Sequence, residues 1–413
     1  MNRPTVCILF GITGDLSLKK LLPALLLMHG RGELPNTRIV GFSRRQFSES
    51  EIRSFIKENL PSSTESFLNI ISYVSGNFDE VSAYKNLSHY LLDKIDKELG
   101  ECSNKLFFLA TPPSMYESIC TNISISGLSV PCGGDQGFAR VLIEKPFGKD
   151  LDTAIRLDSL LGKLFKEEQI YRIDHYLAKD SLIDILKVHR VSEQHGNIWN
   201  SENIEKVEID IFETATVGLR GTFYDGIGAL RDVGQNHMLQ MVALIAMDLP
   251  VNKDPSQIQN NRAEVLEKIV PPSEDDLEKM KFGQYDGYLL EPGVENSSRT
   301  ETLFEVTLFL DKQNFRKVPF VLRYGKALSE KNSQISIYFK NKTTLTIPVP
   351  SEDSGRAYQK ILRDCMVGDQ TVFISTREVM AEWKYITPIL NKMHTSHFVC
   401  YEKGSRPDEI FKS

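Results

Sequence analysis

The sequence predicts an α/β chain. A doubly wound, mainly parallel sheet is expected in residues 1–173, followed by an α+β region over 174–413 with a mainly antiparallel sheet. Three observations carry this. Short apolar runs alternate with helical patterns from Thr5 to Ile143. A glycine turn, Gly11-Ile-Thr-Gly14-Asp15-Leu16, directly follows the first of those runs. Beyond residue 180 the apolar period becomes two, with Val207, Ile209 and Ile211 falling on one face.

Thr5 to Phe10 is apolar and β-prone, and reads as a buried strand. Leu18 to His29 reads as a helix despite Pro23. Strand patterns recur at 37–42, 70–76, 106–110 and 140–143, with helical patterns at 49–60, 81–99 and from Ser114. This alternation is that of a parallel sheet with helices on both faces. In the later region, 204–214, 303–310, 318–323 and 334–339 read as strands. Residues 230–249 and 263–269 read as helices, and 250–301 as loop-rich.

The 413 residues suffice for two or three domains. Apolar content of 41% and charged content of 25% are ordinary for a globular protein. The net charge of −6 gives no global basic bias, so no nucleic-acid partner is expected. The longest apolar stretch, Met238 to Pro250, is broken by Gln240 and Asp248 and is too short for a membrane span. The N-terminal apolar run is too short for a signal-peptide core, so a cytoplasmic location is expected. Six cysteines show no C-x-x-C pair and no metal-ligand spacing with histidine. Reduced thiols and no metal site are the expectation.

Strand, Gly11-x-x-Gly14-Asp15-Leu16, then helix is a phosphate-binding order. The glycines admit the pyrophosphate, and the helix start favours its charge. The spacing is not the usual G-x-G-x-x-G, and an ordinary tight turn is the competing reading. In this context the first region reads as a Rossmann-like dinucleotide-binding domain. After the second strand stand Arg44 and Arg45, where an NAD-preferring fold usually places an acid. Arginine suits a ribose 2′-phosphate, so NADP is expected over NAD.

The run Asp174-His175-Tyr176-Leu177-Ala178-Lys179 gathers an acid, an imidazole, a phenol and an ammonium. If helical, His175 and Lys179 share a face and suit a phosphate, while Asp174 is free to orient another group. A solvated helix face is the plainer reading of this run alone.

Several further motifs occur in order: Glu144-Lys145-Pro146-Phe147-Gly148, Arg172-Ile-Asp-His-Tyr-Leu177 and Gly228-Ala-Leu-Arg-Asp-Val-Gly-Gln-Asn-His-Met-Leu-Gln240. Thr300-Glu-Thr302, Val318-Pro-Phe320 and Arg323-Tyr-Gly-Lys-Ala-Leu-Ser-Glu-Lys331 follow. With these the chain resembles the glucose-6-phosphate dehydrogenase family, from residue 5 to about 395, thinly near 340–358. The resemblance implies NADP-dependent oxidation of a hexose 6-phosphate at C1, giving the lactone. His237 would be the general base, a role that suits imidazole near neutral pH. Asp174 would hold that imidazole, and Lys145, before a cis peptide at Pro146, would sit between nicotinamide and sugar. His175, Tyr176, Lys179 and Lys331 would bind the phosphate. Lys145, Glu213, Asp232 and Lys326 would bond the sugar hydroxyls. Gly11, Thr13, Gly14, Asp15 and Leu16 would cradle the pyrophosphate, with Lys20 nearby. Arg44 would take the 2′-phosphate, and Ala110 to Pro113, including Pro112, would line the adenosine side. A homodimer through the second-domain sheet is also implied. By itself His237, beside Met238, Met241 and Leu244, reads as a core histidine. Asp232 and His237 are five apart, which α-helical periodicity does not place on one face.

The chain departs from the family's pattern at Ala178 and Asp180, where glycine and glutamate are usual, and at His189-Arg-Val-Ser-Glu193. It is also short, with the shortfall after Phe339, so strands of the second sheet are expected to be missing. An alternative substrate is therefore a 2-amino or 2-acetamido hexose 6-phosphate. A non-catalytic binding homologue is the remaining alternative.

Overall fold

The computed structural model describes residues 3–134, 137–194, 198–250, 254–349, 355–393, 396 and 398–411. Its chain divides into two compact units. The first comprises 1–147, 155–178 and 354–374, and the second 148–154, 179–353 and 375–413.

The first unit is organised on six parallel strands: β1 (Thr5–Phe10), β2 (Thr37–Ser43), β3 (Ile71–Ser75), β4 (Asn104–Leu109), β5 (Ala139–Glu144) and β6 (Ile170–Ile173). Their order is β6-β5-β4-β1-β2-β3, and the short strand Phe373–Ile374 adds antiparallel to β6. All residues of β1 and β4 are buried, as strands covered on both faces must be. The chain goes outward through β2 and β3, then returns to place β4 beside β1. That reversal opens a crevice at the carboxyl ends of β1 and β4, where ligands of open α/β sheets bind.

Ser354–Ile374 belongs to this unit, whereas the sequence reading placed all of 174–413 in a second domain. Its helix Arg356–Val367 is strongly amphipathic, with Ile361, Leu362 and Cys365 buried, and it packs on the helix Leu22–Gly30. Arg31 donates to the Gln359 side chain at 3.0 Å, and Arg363 pairs with Glu33.

The second unit holds β7 (Ile204–Phe212), β8 (Lys281–Tyr285), β9 (Leu303–Leu308), β10 (Phe320–Gly325), β11 (Asn332–Phe339) and β12 (Thr344–Pro348). With Phe398–Tyr401 they form one sheet, ordered β12-β11-β7-β10-β9-β8 and then Phe398–Tyr401. Pairing is antiparallel except for β7 with β10 and β8 with Phe398–Tyr401, as the reading of a mainly antiparallel sheet requires. The helix Leu239–Ala246 is buried along its whole length and packs on Pro255–Glu267, which in turn packs on Thr376–Met393. Arg262 and Glu378 join the last two helices through a 2.7 Å ion pair, both side chains being withdrawn from solvent.

Several expectations change here. Residues 175–178 form turns and the helix starts only at Asp180, so His175 and Lys179 do not share a helical face. Ile170–Ile173 is instead a strand, and Leu151–Leu164 a helix that the pattern did not reveal. In the loop-rich stretch 250–301 the helix expected at 263–269 lies earlier, at Pro255–Glu267, and the described residues also hold the helix Glu274–Lys279 and β8. Thr344–Pro348 is an edge strand, formed by alternating Thr, Leu and Ile on β11, where no strand was expected. Residues 350–354 of the thin region near 340–358 lie outside the described residues.

Cys102 and Cys132 lie next to each other, with Cα atoms 6.0 Å apart. They are 30 residues apart in sequence. They meet because each precedes one of two neighbouring parallel strands, β4 and β5.

Candidate active site

In the first unit the glycine turn leaves β1 with Gly11 at φ +82°. Its N–H donates to Phe42 O at 2.8 Å, and its carbonyl accepts from Gly14 N–H at 2.9 Å and the Ser17 hydroxyl at 3.0 Å. A Cβ at Gly11 would lie 2.5 Å from Ala110 O, so both the conformation and the space require glycine. The turn leads into a π-wound stretch, Ser17–Leu21, and then the helix Leu22–Gly30. Free N–H groups at such a start attract phosphate. Thr13, Gly14 and Leu16 are half-buried around it. Asp15 is exposed and pairs with Lys19 at 2.7 Å. Ala110 stands at the end of β4, its N–H bonded to Phe10 O at 3.0 Å, and Pro112 is exposed just beyond. Arg44 follows β2 and is exposed. The Tyr73 hydroxyl fixes that strand end through Ser43 Oγ at 2.8 Å and Arg45 O at 2.5 Å. These residues fit a dinucleotide with a 2′-phosphate.

At the end of β5 the Lys145–Pro146 peptide is cis, as expected. The preceding Glu144 accepts from the Tyr358 hydroxyl at 2.8 Å. Burial pushes its carboxyl up to about 7, with Asp174 adding and Tyr358 and Lys145 opposing. On β6, buried Arg172 bonds Asp158 at 2.8 Å and Glu167 at 2.7 Å, which anchors the strand end. Asp174 follows it, buried. Its carboxylate accepts from Tyr176 N–H at 2.8 Å and its carbonyl from Leu177 N–H at 3.1 Å. This local turn replaces the helix expected there. The rings of His175 and Tyr176 stand 5.0 Å apart.

In the second unit Lys179 is buried, just before the helix Asp180–Gln194. Glu213 and Lys326 leave the ends of the parallel neighbours β7 and β10, which places them side by side. Lys326 Nζ lies 2.6 Å from the Glu213 carboxylate, and the Tyr324 hydroxyl donates to it at 3.1 Å. The same ammonium stands 5.6 Å from the Tyr224 ring centroid. Burial holds the phenols of Tyr224 and Tyr324 well above their usual range, and the charge of Asp232 adds to both. Lys331 is exposed between β10 and β11.

Asp232 and buried His237 lie in a π-wound stretch, Leu230–Met238. Its i→i+5 turns put residues five apart one turn apart, which α-periodicity does not. Gln235 and Gln240, flanking His237, donate to the wholly buried Glu382 at 3.0 and 2.8 Å. Sequence reasoning missed Glu382 and Tyr324. A carboxylate inside the apolar Val379-to-Ile389 helical pattern was the available signal for the first.

A family model described as "Glucose-6-phosphate dehydrogenase, NAD binding domain" matches residues 8–183. Its C-terminal companion, "Glucose-6-phosphate dehydrogenase, C-terminal domain", matches 193–354 and 348–412. The chain belongs to the glucose-6-phosphate dehydrogenase family. Among its relatives is "Glucose-6-phosphate 1-dehydrogenase 5, cytoplasmic" of Arabidopsis thaliana. The two are 33% identical over 97% of this chain and 88% of that protein. "Glucose-6-phosphate 1-dehydrogenase" of Chlamydia muridarum is 31% identical over 94% of this chain and 90% of its own. A solved structure of glucose-6-phosphate dehydrogenase in complex with its substrate glucose 6-phosphate matches with a TM-score of 0.88 and 29% identity. It is covered to 96%, and this chain to 99%.

Within the glucose-6-phosphate dehydrogenase family this member is short. Its alignment with the Arabidopsis relative spans 467 positions, more than the chain's 413 residues, so that relative carries segments absent here. The C-terminal family model matches in two pieces that join near 348–354, just after β12. Among the described residues no helix is long and apolar enough to cross a membrane.

Proposed function

We propose that the protein oxidises glucose 6-phosphate at C1 to the 6-phospholactone with NADP as the oxidant. Near-full-length membership of the family, beside a substrate-bound structure of the same fold, carries this reading. The reading with a 2-amino or 2-acetamido sugar finds no support among the relatives named above.

The bound nicotinamide supplies the acceptor for the hydride that leaves C1. This chain's residues must take the proton from the C1 hydroxyl as the C=O bond forms. His237 is assigned that task, since imidazole titrates where a general base is most effective. Asp174 is assigned the support of the imidazolium. Glu213, Lys326, Asp232 and Lys145 orient the sugar hydroxyls, and His175, Tyr176, Lys179 and Lys331 hold the phosphate. The turn Gly11 to Leu16 holds the pyrophosphate, Arg44 the 2′-phosphate, and Ala110 and Pro112 the adenosine side. The protein acts in the cytoplasm as a homodimer, a state that light scattering checks.

The test is NADPH formation with glucose 6-phosphate, its 2-amino and 2-acetamido analogues, and other hexose 6-phosphates. Glucose 6-phosphate is expected to have the highest kcat/KM. In His237→Asn, kcat is expected to fall by ~10²–10⁴-fold or more while sugar-phosphate binding persists. Turnover of none of the sugars, or full activity in His237→Asn, refutes the respective assignment.

A further inference from the structure

We propose that Glu301 is the positioning residue for the helical stretch that carries Asp232 and His237. This rests on the reading of His237 as the base. Glu301 is completely buried, in the segment that leads into β9. Its carboxylate Oε1 accepts Leu230 N–H at 2.7 Å, the first residue of the π-wound stretch. Its carbonyl accepts Ala229 N–H at 3.0 Å and the Tyr224 hydroxyl at 3.1 Å. One residue therefore meets three donors of the segment 224–230. Helix-start N–H groups have no partner within their own helix, so the residue that meets them fixes where the helix begins.

The flanking threonines bind the helix start on one side and the sheet on the other. Thr300 Oγ1 accepts Gly226 N–H at 2.8 Å. Thr302 Oγ1 accepts Tyr285 N–H at 3.2 Å and meets the Tyr401 hydroxyl at 2.9 Å. The Thr300-Glu301-Thr302 triplet thus fastens the helix start to the sheet. Gly228, at φ +78°, leaves room for the carboxyl, since a Cβ there would lie 2.2 Å from Glu301 Oε2.

That second oxygen is buried and accepts no hydrogen bond among the described residues. Burial pushes the Glu301 carboxyl up to about 7, opposed by the Leu230 N–H and by Arg231. Arg231 is the cation facing it, held on the Lys149 and Ile227 carbonyls. Tyr224 faces it from the preceding helix, with Asp232 and Tyr401 acting on that phenol in turn. Between pH 4.5 and 7 the folded chain holds the Glu301 proton and the unfolded chain does not, so this group's contribution to the fold around the helix start declines over that window.

The experiment compares kcat–pH profiles of the NADP-saturated enzyme for wild type, Glu301→Gln and Glu301→Ala. Glu301→Ala is expected to lose about 10-fold or more in kcat, as befits an unmade buried hydrogen bond, with the KM for NADP unchanged within twofold. Glu301→Gln keeps an acceptor for Leu230 N–H. Its plateau kcat is expected to stay within threefold of wild type, with a flatter profile between pH 6 and 8. If Glu301→Ala does not fold, Glu301→Gln decides alone. A wild-type profile in Glu301→Gln, or wild-type kcat in Glu301→Ala, overturns the proposal. Loss of activity in His237→Asn beside such results leaves the base assignment standing, whereas activity in His237→Asn removes both.

Discussion

The Lys326 ammonium stands 2.6 Å from the Glu213 carboxylate, across the matched ends of two parallel strands. The lysine is nearly withdrawn from solvent and the glutamate side chain is 32% exposed. A charge-assisted hydrogen bond is worth ~1.5–3 kcal/mol, roughly 10- to 150-fold. Lys326→Met is expected to raise the KM for glucose 6-phosphate by that order and to spare the KM for NADP. Steady-state kinetics with each substrate varied in turn measures both.

Arg44, proposed above to take the 2′-phosphate, directly follows β2. Arg44→Ala is expected to lower kcat/KM for NADP by ~10- to 150-fold, the worth of charged hydrogen bonds to a phosphate. With NAD, which lacks that phosphate, the change is expected to stay within twofold. Equal losses with both cofactors would show that Arg44 does not contact the 2′-phosphate.

Arg262 and Glu378 are paired at 2.7 Å with exposures of 1% and 0%. Removing one member strands a buried charge, so Arg262→Ala is expected to cost ~3–5 kcal/mol. The double change Arg262→Met with Glu378→Leu is expected to recover most of it, because no charge is then left unpaired. Urea unfolding of both variants measures the difference.

Glu144 gives a pH dependence of stability. Its carboxyl is raised from 4.5 to about 7, chiefly by burial. Between those values the folded chain binds the proton and the unfolded chain does not. This group's contribution is therefore largest below pH 4.5 and declines as pH rises to 7. Glu144→Gln is expected to remove that decline. Thermal melts from pH 5 to 8 should give a flatter difference curve for the variant, and parallel curves would contradict it.

The parts of the fold that sequence revealed are those with one dominant signal. β1 and the glycine turn are legible because a buried apolar run meets the one residue that tolerates Ala110 O at that distance. Asp174 to Lys179 misled because four polar residues fit a helix face and a turn equally well. The structure resolves this through the Asp174 carboxylate taking Tyr176 N–H, a bond no periodicity announces. Glu213 and Lys326 were named from their motifs, but only strand pairing shows them as partners. Asp232 and His237, five apart, fall in a π-wound stretch, a winding that α-helical periodicity does not anticipate. Cys102 with Cys132, and Tyr358 with Glu144, depend on strand neighbours or on a segment 214 residues away.

The return of 354–374 to the first unit has a consequence for synthesis on the ribosome. Residues Arg31 and Glu33 emerge early, yet their partners Gln359 and Arg363 come more than 320 residues later. The nucleotide-binding unit is therefore complete, with the outer edge of β6 paired, only once most of the chain has been translated. No single cleavage of the backbone can release it whole.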